Sequence, residues 1–443
     1  MRKPKRKFSY KSQKIHQGFT GSKLTAYSGL NPINKYMKKN KIGKQLNKLF
    51  PTVIENAGKF SDAQLMQLMI YASLCGVNRL KKIEEFSKDV LVKSTLNLGQ
   101  PVSDSTLSGR FQAMGERCAR KLEHHQLEEK KKFLLHQPLT ALTIDMDSTV
   151  SMVFGNQQGA AKGFNEKKRG AKSYHPQLAF LSDYKMVMHT WFRTGNSYTS
   201  NGAKEFVKQM LPYIPSNIKK LFFRMDSGYF DNNLLDGISD EGHTYLVKVK
   251  FKGLRKILTL QQWNQDKEAP TISTCEFHHT FTVQSDEGKK IKITKKLKAI
   301  RIQTISGKGS MGEDIVGYDY FCYSSNLEGN TAIDLHELYK QRGECENWIE
   351  QVKNQLLAGK TLVDDFWAND IFWQLSAMAY NLSISMRLKE KKYWRQEYNT
   401  FRDWFVSVPG MLVSIGGQLI LKIYEHYYYK EQWKAFDLIL DTG

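Results

Sequence analysis

Residues 339–353 read YKQRGECENWIEQVK, and the order of charged and apolar side chains along them predicts one continuous helix. At about 100° per residue, Tyr339, Arg342, Glu346 and Lys353 fall within roughly 60° of one another. One face therefore carries an aromatic hydroxyl, a guanidinium, a carboxylate and an ammonium. Trp348, Ile349, Val352 and Leu356 occupy an adjoining arc, so the helix can pack on a core with its charged stripe turned outward. Taken by itself, such a stripe reads as a solvated face laced with i,i+4 ion pairs.

Composition bounds what is built around this helix. With 443 residues, 41% hydrophobic and 25% charged, the chain can bury one large core or two to three ordinary ones. A formal net charge of +22 predicts a polyanionic partner, and nucleic acid is the commonest. Cys75, Cys118, Cys275, Cys322 and Cys345 show no CxxC and no paired spacing. That argues against a disulfide framework and a zinc site and fits a reducing cytoplasm. The basic N-terminus lacks the apolar core of a signal peptide, and no membrane span is expected. The apolar stretch at 371–386 is interrupted by Gln374, Ser376, Asn381 and Ser383, which marks it as buried core.

The first 50 residues hold fourteen Lys or Arg and no Asp or Glu, a block suited to phosphate contact. Helical patterns follow at 61–74, 78–87 and 105–122, the last opening on the Ser/Asp cluster of PVSDSTLSGRF, good N-cap chemistry. Helix, helix, turn and basic helix fit a helix-turn-helix reader and equally a plain bundle. Residues 123–136 read as a helical connector.

At Leu139 the pattern turns strand-like in LTALTIDMDSTVSMVFG. Asp145 and Asp147, two apart on a strand, point to one side, which is useful if a cation sits there and otherwise describes an exposed acidic strand face. The glycine-rich, basic segment 155–175 reads as a mobile loop suited to a DNA backbone; it lacks the GK[ST] ending of a P-loop. Strands at 177–181 and 185–192 form a hairpin around Ser182 and Asp183, and a helix covers 200–210. In LFFRMDSGYF a hydrophobic strand runs into Asp226, the usual place for an active-site group in an open α/β sheet, although an Asx turn explains the residue as well. Residues 244–325 are strand-rich, broken by DEGKK and SGKGSMGE, and read as a β-rich insertion whose KIKITKKLKAIRI run gives a basic face. His278 and His279 face opposite sides of a strand with no third ligand nearby, which argues against a metal role. A last apolar helix is expected from Asp370 with Asn369 as its N-cap, followed by a helical, aromatic-rich tail.

These motifs, in this order, resemble the bacterial insertion-sequence transposases of the DDE class that carry a Y-R-E-K signature. The resemblance spans roughly 139–388 and rests on DxDST (145–149), YHP (174–176), RMDSG (224–228) and the four-point helix. It implies an α/β fold with an RNase H-like catalytic core, a β-rich insertion and an N-terminal helical DNA-binding region. The implied division is a DNA-end-binding region at 1–136, the core at 137–250 and 331–390, the insertion at 251–330 and a C-terminal helical region at 391–443. The family's acidic triad falls on Asp147, Asp226 and Glu346, which would be catalytic residues and metal ligands, with Asp145 as the alternative first acid. Tyr339, Arg342 and Lys353 match positions that hold the DNA end.

The chemistry fits those residue types. Two Mg²⁺ ions about 4 Å apart stabilise the attacking and leaving oxygens of a phosphodiester, and hard carboxylate oxygens suit Mg²⁺, with Mn²⁺ as a substitute. The implied partners are double-stranded DNA, as terminal inverted repeats and as target, and a second copy of the chain in the DNA complex. The implied location is the cytoplasm, on the nucleoid. The alternatives are an RNase H-like nuclease or resolvase without strand transfer, and a non-catalytic DNA-binding protein derived from a transposase.

Overall fold

A computed structural model of the chain describes residues 17–51, 60–163, 165, 168–284, 289–308 and 314–442. At its centre lie five strands: β1 (Ala141–Ser148), β2 (Gln177–Leu181), β3 (Met186–Trp191), β4 (Lys220–Met225) and β5 (Thr244–Lys248). Most of their residues are buried on both faces, as befits a sheet covered by helices. β1 runs antiparallel to β2 and parallel to β4, β3 runs antiparallel to β2, and β5 runs parallel to β4. The order β3-β2-β1-β4-β5, with β2 alone reversed, is the RNase H-like arrangement. Because β1 and β4 are parallel neighbours, their carboxyl ends emerge side by side.

The expected insertion does not form a sheet of its own. Its long strands β6 (Ile272–Gln284), β7 (Lys290–Lys308) and β8 (Asp314–Ser325) make an antiparallel meander. β8 then pairs with β5 through Tyr323 and Lys248, so the central sheet continues outward to nine strands, ending at the short strand Asn264–Gln265. Much of the DEGKK and SGKGSMGE turns, at 285–288 and 309–313, lies outside the described residues, as do the first sixteen residues of the basic tail. Segment 155–175, expected as a loop, contributes to a small three-stranded sheet of Ser151–Met152, Ala161–Lys162 and Lys172–Tyr174.

Among the helices, α1 (Asp104–Leu135), α2 (Ala332–Lys340), α3 (Gly343–Glu350) and α4 (Phe366–Arg387) frame the sheet. Ser103 caps α1 by accepting the Thr106 amide at 3.2 Å. α1 runs straight through the expected connector and is broken once, at Gly115 (φ 59°, ψ −164°), a conformation open to glycine and little else. α4 is buried along nearly its whole length, as its composition predicts. It begins earlier than expected: Asp365 is its cap, accepting the Ala368 amide at 2.7 Å. Asn369 instead accepts the Leu362 amide at 3.0 Å and donates to the carbonyls of Val363 and Asp365, which ties down the incoming loop. Farther along, the Asn381 amide holds both backbone groups of Val187 at 2.9 Å, covering edge strand β3.

The helix expected over 339–353 is not one continuous α-helix. α2 stops at Lys340, α3 starts at Gly343, and a π-helical turn, Gln351–Gln355, follows. The Leu338 carbonyl accepts from the Arg224 guanidinium at 3.1 Å, and the Arg342 amide turns to the Tyr339 carbonyl at 2.9 Å. The tail also departs from expectation, because it is not helical throughout. Gly410–Ile415 and Gln418–Ile423 form a hairpin whose turn glycines, Gly416 and Gly417, both take positive φ, and Lys23–Thr25 pairs with its first strand. One apolar cluster runs from Leu30 in the N-terminal helices through the sheet and α4 to Leu440.

Candidate active site

Strand register sets the site. Asp145 and Arg224 are direct partners across β1 and β4, followed by Met146 and Met225. Asp147 follows on β1, and Asp226 is the first residue after β4 ends. Asp226 sits at the strand end and accepts the Gly228 amide at 3.0 Å, so the expected Asx turn is present there too. Facing these ends is the broken helix with Tyr339, Arg342 and Glu346.

Arg342 is the hub. It is buried, and its Nη2 meets Asp147 Oδ2 at 2.7 Å while its Nη1 lies 3.7 Å from Glu346 Oε1. Burial opposes its charge more than any one neighbour favours it, but Asp147, Tyr339, Cys345 and Asp226 together outweigh burial, and its pKa stands above the ordinary arginine value. Its Nε is buried without a partner among the described residues. Burial likewise pushes the Asp147 carboxyl up, Arg342 and the Ser148 amide pull it down, Asp226 and Glu346 add to the rise, and the balance lies at about 6. Tyr339 rises to about 12, chiefly through burial, with Asp226, Asp147 and Glu346 adding to it against Arg342. Glu346 is 70% exposed and so free to reorient. Lys353, on the π-helical turn, donates to Thr149 Oγ1 at 3.2 Å and to the Val150 carbonyl, which anchors the chain leaving β1.

Asp145 is set apart from this group. It is wholly buried, bonded by Arg224 through Nε at 2.7 Å and Nη2 at 2.8 Å, and it also accepts from Ser182 Oγ at 2.5 Å. The structure thus gathers Asp147, Asp226, Glu346, Tyr339 and Arg342, places Lys353 at the exit of β1, and puts Asp145 behind them.

Two further groups have no role assigned by sequence alone. The signal for Arg224 was present, because a charge inside the apolar run LFFRM needs a buried partner. His175, from YHP, bridges Ser148 Oγ (3.1 Å) and the Ser197 carbonyl (2.5 Å), and Ser148 in turn meets Thr199 Oγ1 at 3.1 Å. That chain of hydrogen bonds braces the residue next to Asp147.

The family model described as the transposase DDE domain, group 1, matches residues 8–440. The chain belongs to the DDE transposases. No curated protein matches it. Among solved structures, it is similar to the piggyBac transposase in a cryo-EM synaptic complex with hairpin DNA, at 12% identity over 87% of this chain and 83% of that one, with a TM-score of 0.40. No helix among the described residues of this DDE transposase is long and apolar enough to cross a membrane.

Membership of the DDE transposases implies use of a divalent metal. No group of three or more metal-ligating side chains stands preassembled among the described residues. The donor set still suits a hard cation. Asp147 is a mostly buried carboxylate whose side chain is still 13% exposed; its charge is disfavoured by desolvation and by two neighbouring acids, with Arg342 as the opposing cation, and added positive charge relieves that strain.

Proposed function

We propose that the protein is a cut-and-paste transposase. In this reading it binds the terminal inverted repeats of an insertion sequence, hydrolyses the phosphodiester at each end with Mg²⁺, and joins the freed 3′-OH to target DNA, with two copies of the chain on the DNA. The observation that carries the reading is the pairing of Arg342 with Asp147 and Glu346, with Asp226 near enough to act electrostatically on both Asp147 and Arg342, in a chain matched by the family over almost its full length.

Asp147, Asp226 and Glu346 would hold the metal, and Asp145 is too deeply engaged with Arg224 to share that role. Bound Mg²⁺ supplies charge stabilisation at the attacking and leaving oxygens. Arg342 would meet a phosphate oxygen through the Nη1 side that now lies 3.7 Å from Glu346. Tyr339 lines the same cleft. Lys353 keeps the exit of β1, and with it Asp147, facing the broken helix.

The test is incubation of purified protein with duplexes carrying the ends of the encoding element and a supercoiled target, with and without Mg²⁺. Cut and joined products are expected, and Asp226→Ala should abolish both while repeat binding stays within a few fold. Cut ends that are never joined would make the protein a nuclease. Binding without cleavage by the unmutated chain in Mg²⁺ or Mn²⁺ would make it a non-catalytic DNA-binding protein.

A further inference from the structure

Arg224 links the two strands that lead to Asp147 and Asp226 with the chain that leads into the helix bearing Glu346. It stands on β4 two residues before Asp226. Its Nε and Nη2 grip both oxygens of Asp145, two residues before Asp147 on β1, at 2.7 and 2.8 Å. Its remaining nitrogen, Nη1, leaves the sheet and donates to the Leu338 carbonyl at 3.1 Å and to Gln341 Oε1 at 2.9 Å. Leu338 belongs to the last turn of α2 and Gln341 to the break itself, immediately before Arg342 and one turn before Glu346. Arg224 is 5% exposed and Asp145 is fully buried.

From this geometry we infer that Arg224 is a positioning residue that registers the Glu346-bearing helix against the strands bearing Asp147 and Asp226, and that it sets the helix break by capturing the Leu338 carbonyl. The inference rests on the catalytic reading of those three acids. Two physical arguments support it. A buried ion pair adds little net stability, because desolvating two charges offsets most of their attraction, so stability alone does not explain the pair. A planar guanidinium can satisfy a carboxylate on one edge and carbonyl oxygens on the other, whereas an ammonium offers no such fixed fork. With Leu338 O taken, the Arg342 amide settles for the Tyr339 carbonyl, and the tightened turn carries the Arg342 side chain toward Asp147.

Three variants test it. Arg224→Met alone leaves Asp145 buried and unpaired, and it should lose thermal stability. The double variant Asp145→Leu with Arg224→Met removes both charges, and its Tm should return to within a few degrees of the unmutated protein. Arg224→Lys keeps the charge but loses the fork. In the double variant and in Arg224→Lys, kcat for end cleavage at saturating Mg²⁺ should fall at least 100-fold, with repeat binding within tenfold. Amide exchange at 341–345 in the metal-free, DNA-free protein should change at least tenfold, because the Leu338 carbonyl is released to the helix. Cleavage within tenfold of normal in the refolded double variant, or exchange at 341–345 unchanged in both variants, would overturn the inference. The exchange readout needs no catalysis, so it decides the strut even if the unmutated protein cuts no DNA. In that event it is the transposase reading that has failed.

Discussion

Asp145 and Asp147 lie on one face of β1, yet one is sealed against Arg224 and the other opens beside Arg342. Their difference is set by partners contributed from elsewhere in the chain, and the same logic separates the acids of α3. Glu346 approaches Arg342, whereas Glu350 accepts from Gln355 Nε2 at 2.6 Å, on the far side of the π-helical turn. Glu346→Gln, which keeps shape and removes charge, should therefore cost roughly three orders of magnitude in cleavage, about 4 kcal/mol of barrier. Glu350→Gln and Glu344→Gln should each cost less than about tenfold. Single-turnover cleavage rates decide it, and a dead Glu350→Gln beside an active Glu346→Gln would remove Glu346 from the site. At this scale much of the acidic group was legible, because strand-end and helix-face spacing are local properties. Spacing did not separate Asp145 from Asp147, since alternation places both on the same side; the resemblance pointed to Asp147, and what occupies Asp145 becomes visible only in its cross-strand register with Arg224.

Elements meet where their buried polar residues have to be satisfied, and the junction of α1 with α4 has a titratable one. Asp370 of α4 is buried, accepts from Gln374 Nε2 at 3.0 Å, and faces Glu123 and Arg120 of α1. Burial raises its pKa from the ordinary 3.8 to about 7; Glu123 adds to the rise, while Gln374 and Arg120 oppose it. A raised carboxyl pKa means that the folded state holds a proton the unfolded chain gives up. Its contribution is then complete below about pH 4 and is lost as pH climbs through 7. Asp370→Asn keeps an acceptor for Gln374 without the charge. It should flatten the fall in Tm between pH 4 and 7 and stabilise the protein at pH 8, by up to roughly 4 kcal/mol at about 1.4 kcal/mol per pKa unit. Thermal melts across that range check it, and an unchanged pH slope would show Asp370 ionised in the fold. Element types were largely readable, from the periodicity of the strands and the apolar run of α4. Element ends were not: the break at Gln341 depends on Arg224 competing for a helix carbonyl, and Asn369 has the chemistry of a cap although Asp365 holds that position.

The whole molecule is held by one apolar core that begins inside the basic N-terminal region. Leu30, Ile33, Met37 and Leu46 belong to it, and Lys23–Thr25 pairs with the hairpin near the C-terminus. The fourteen basic residues of the first 50 are therefore not a detachable unit. Seven of them fall within residues 1–16, ahead of the described chain, and those seven can be removed without deleting any of these core side chains. Deleting 1–16 should leave Tm within a few degrees. It should lower repeat affinity and flatten its salt dependence, by about 0.9 in the slope of log K against log salt for each phosphate no longer neutralised. Deleting 1–49 should instead destabilise the fold, because burying four large aliphatic side chains is worth about 1.5–3 kcal/mol for each. Loss of DNA binding in that longer truncation would then report unfolding and not recognition. The two deletions, compared by melting curve and by binding at several salt concentrations, separate the readings. An unchanged salt slope in the 1–16 deletion would assign phosphate binding to the remaining basic surfaces. Foremost among these is the face of β7 bearing Lys290, Lys292, Lys296 and Lys298, where Glu276 already pairs with Lys296 at 2.5 Å and Lys298 at 3.3 Å and reduces the charge left for DNA.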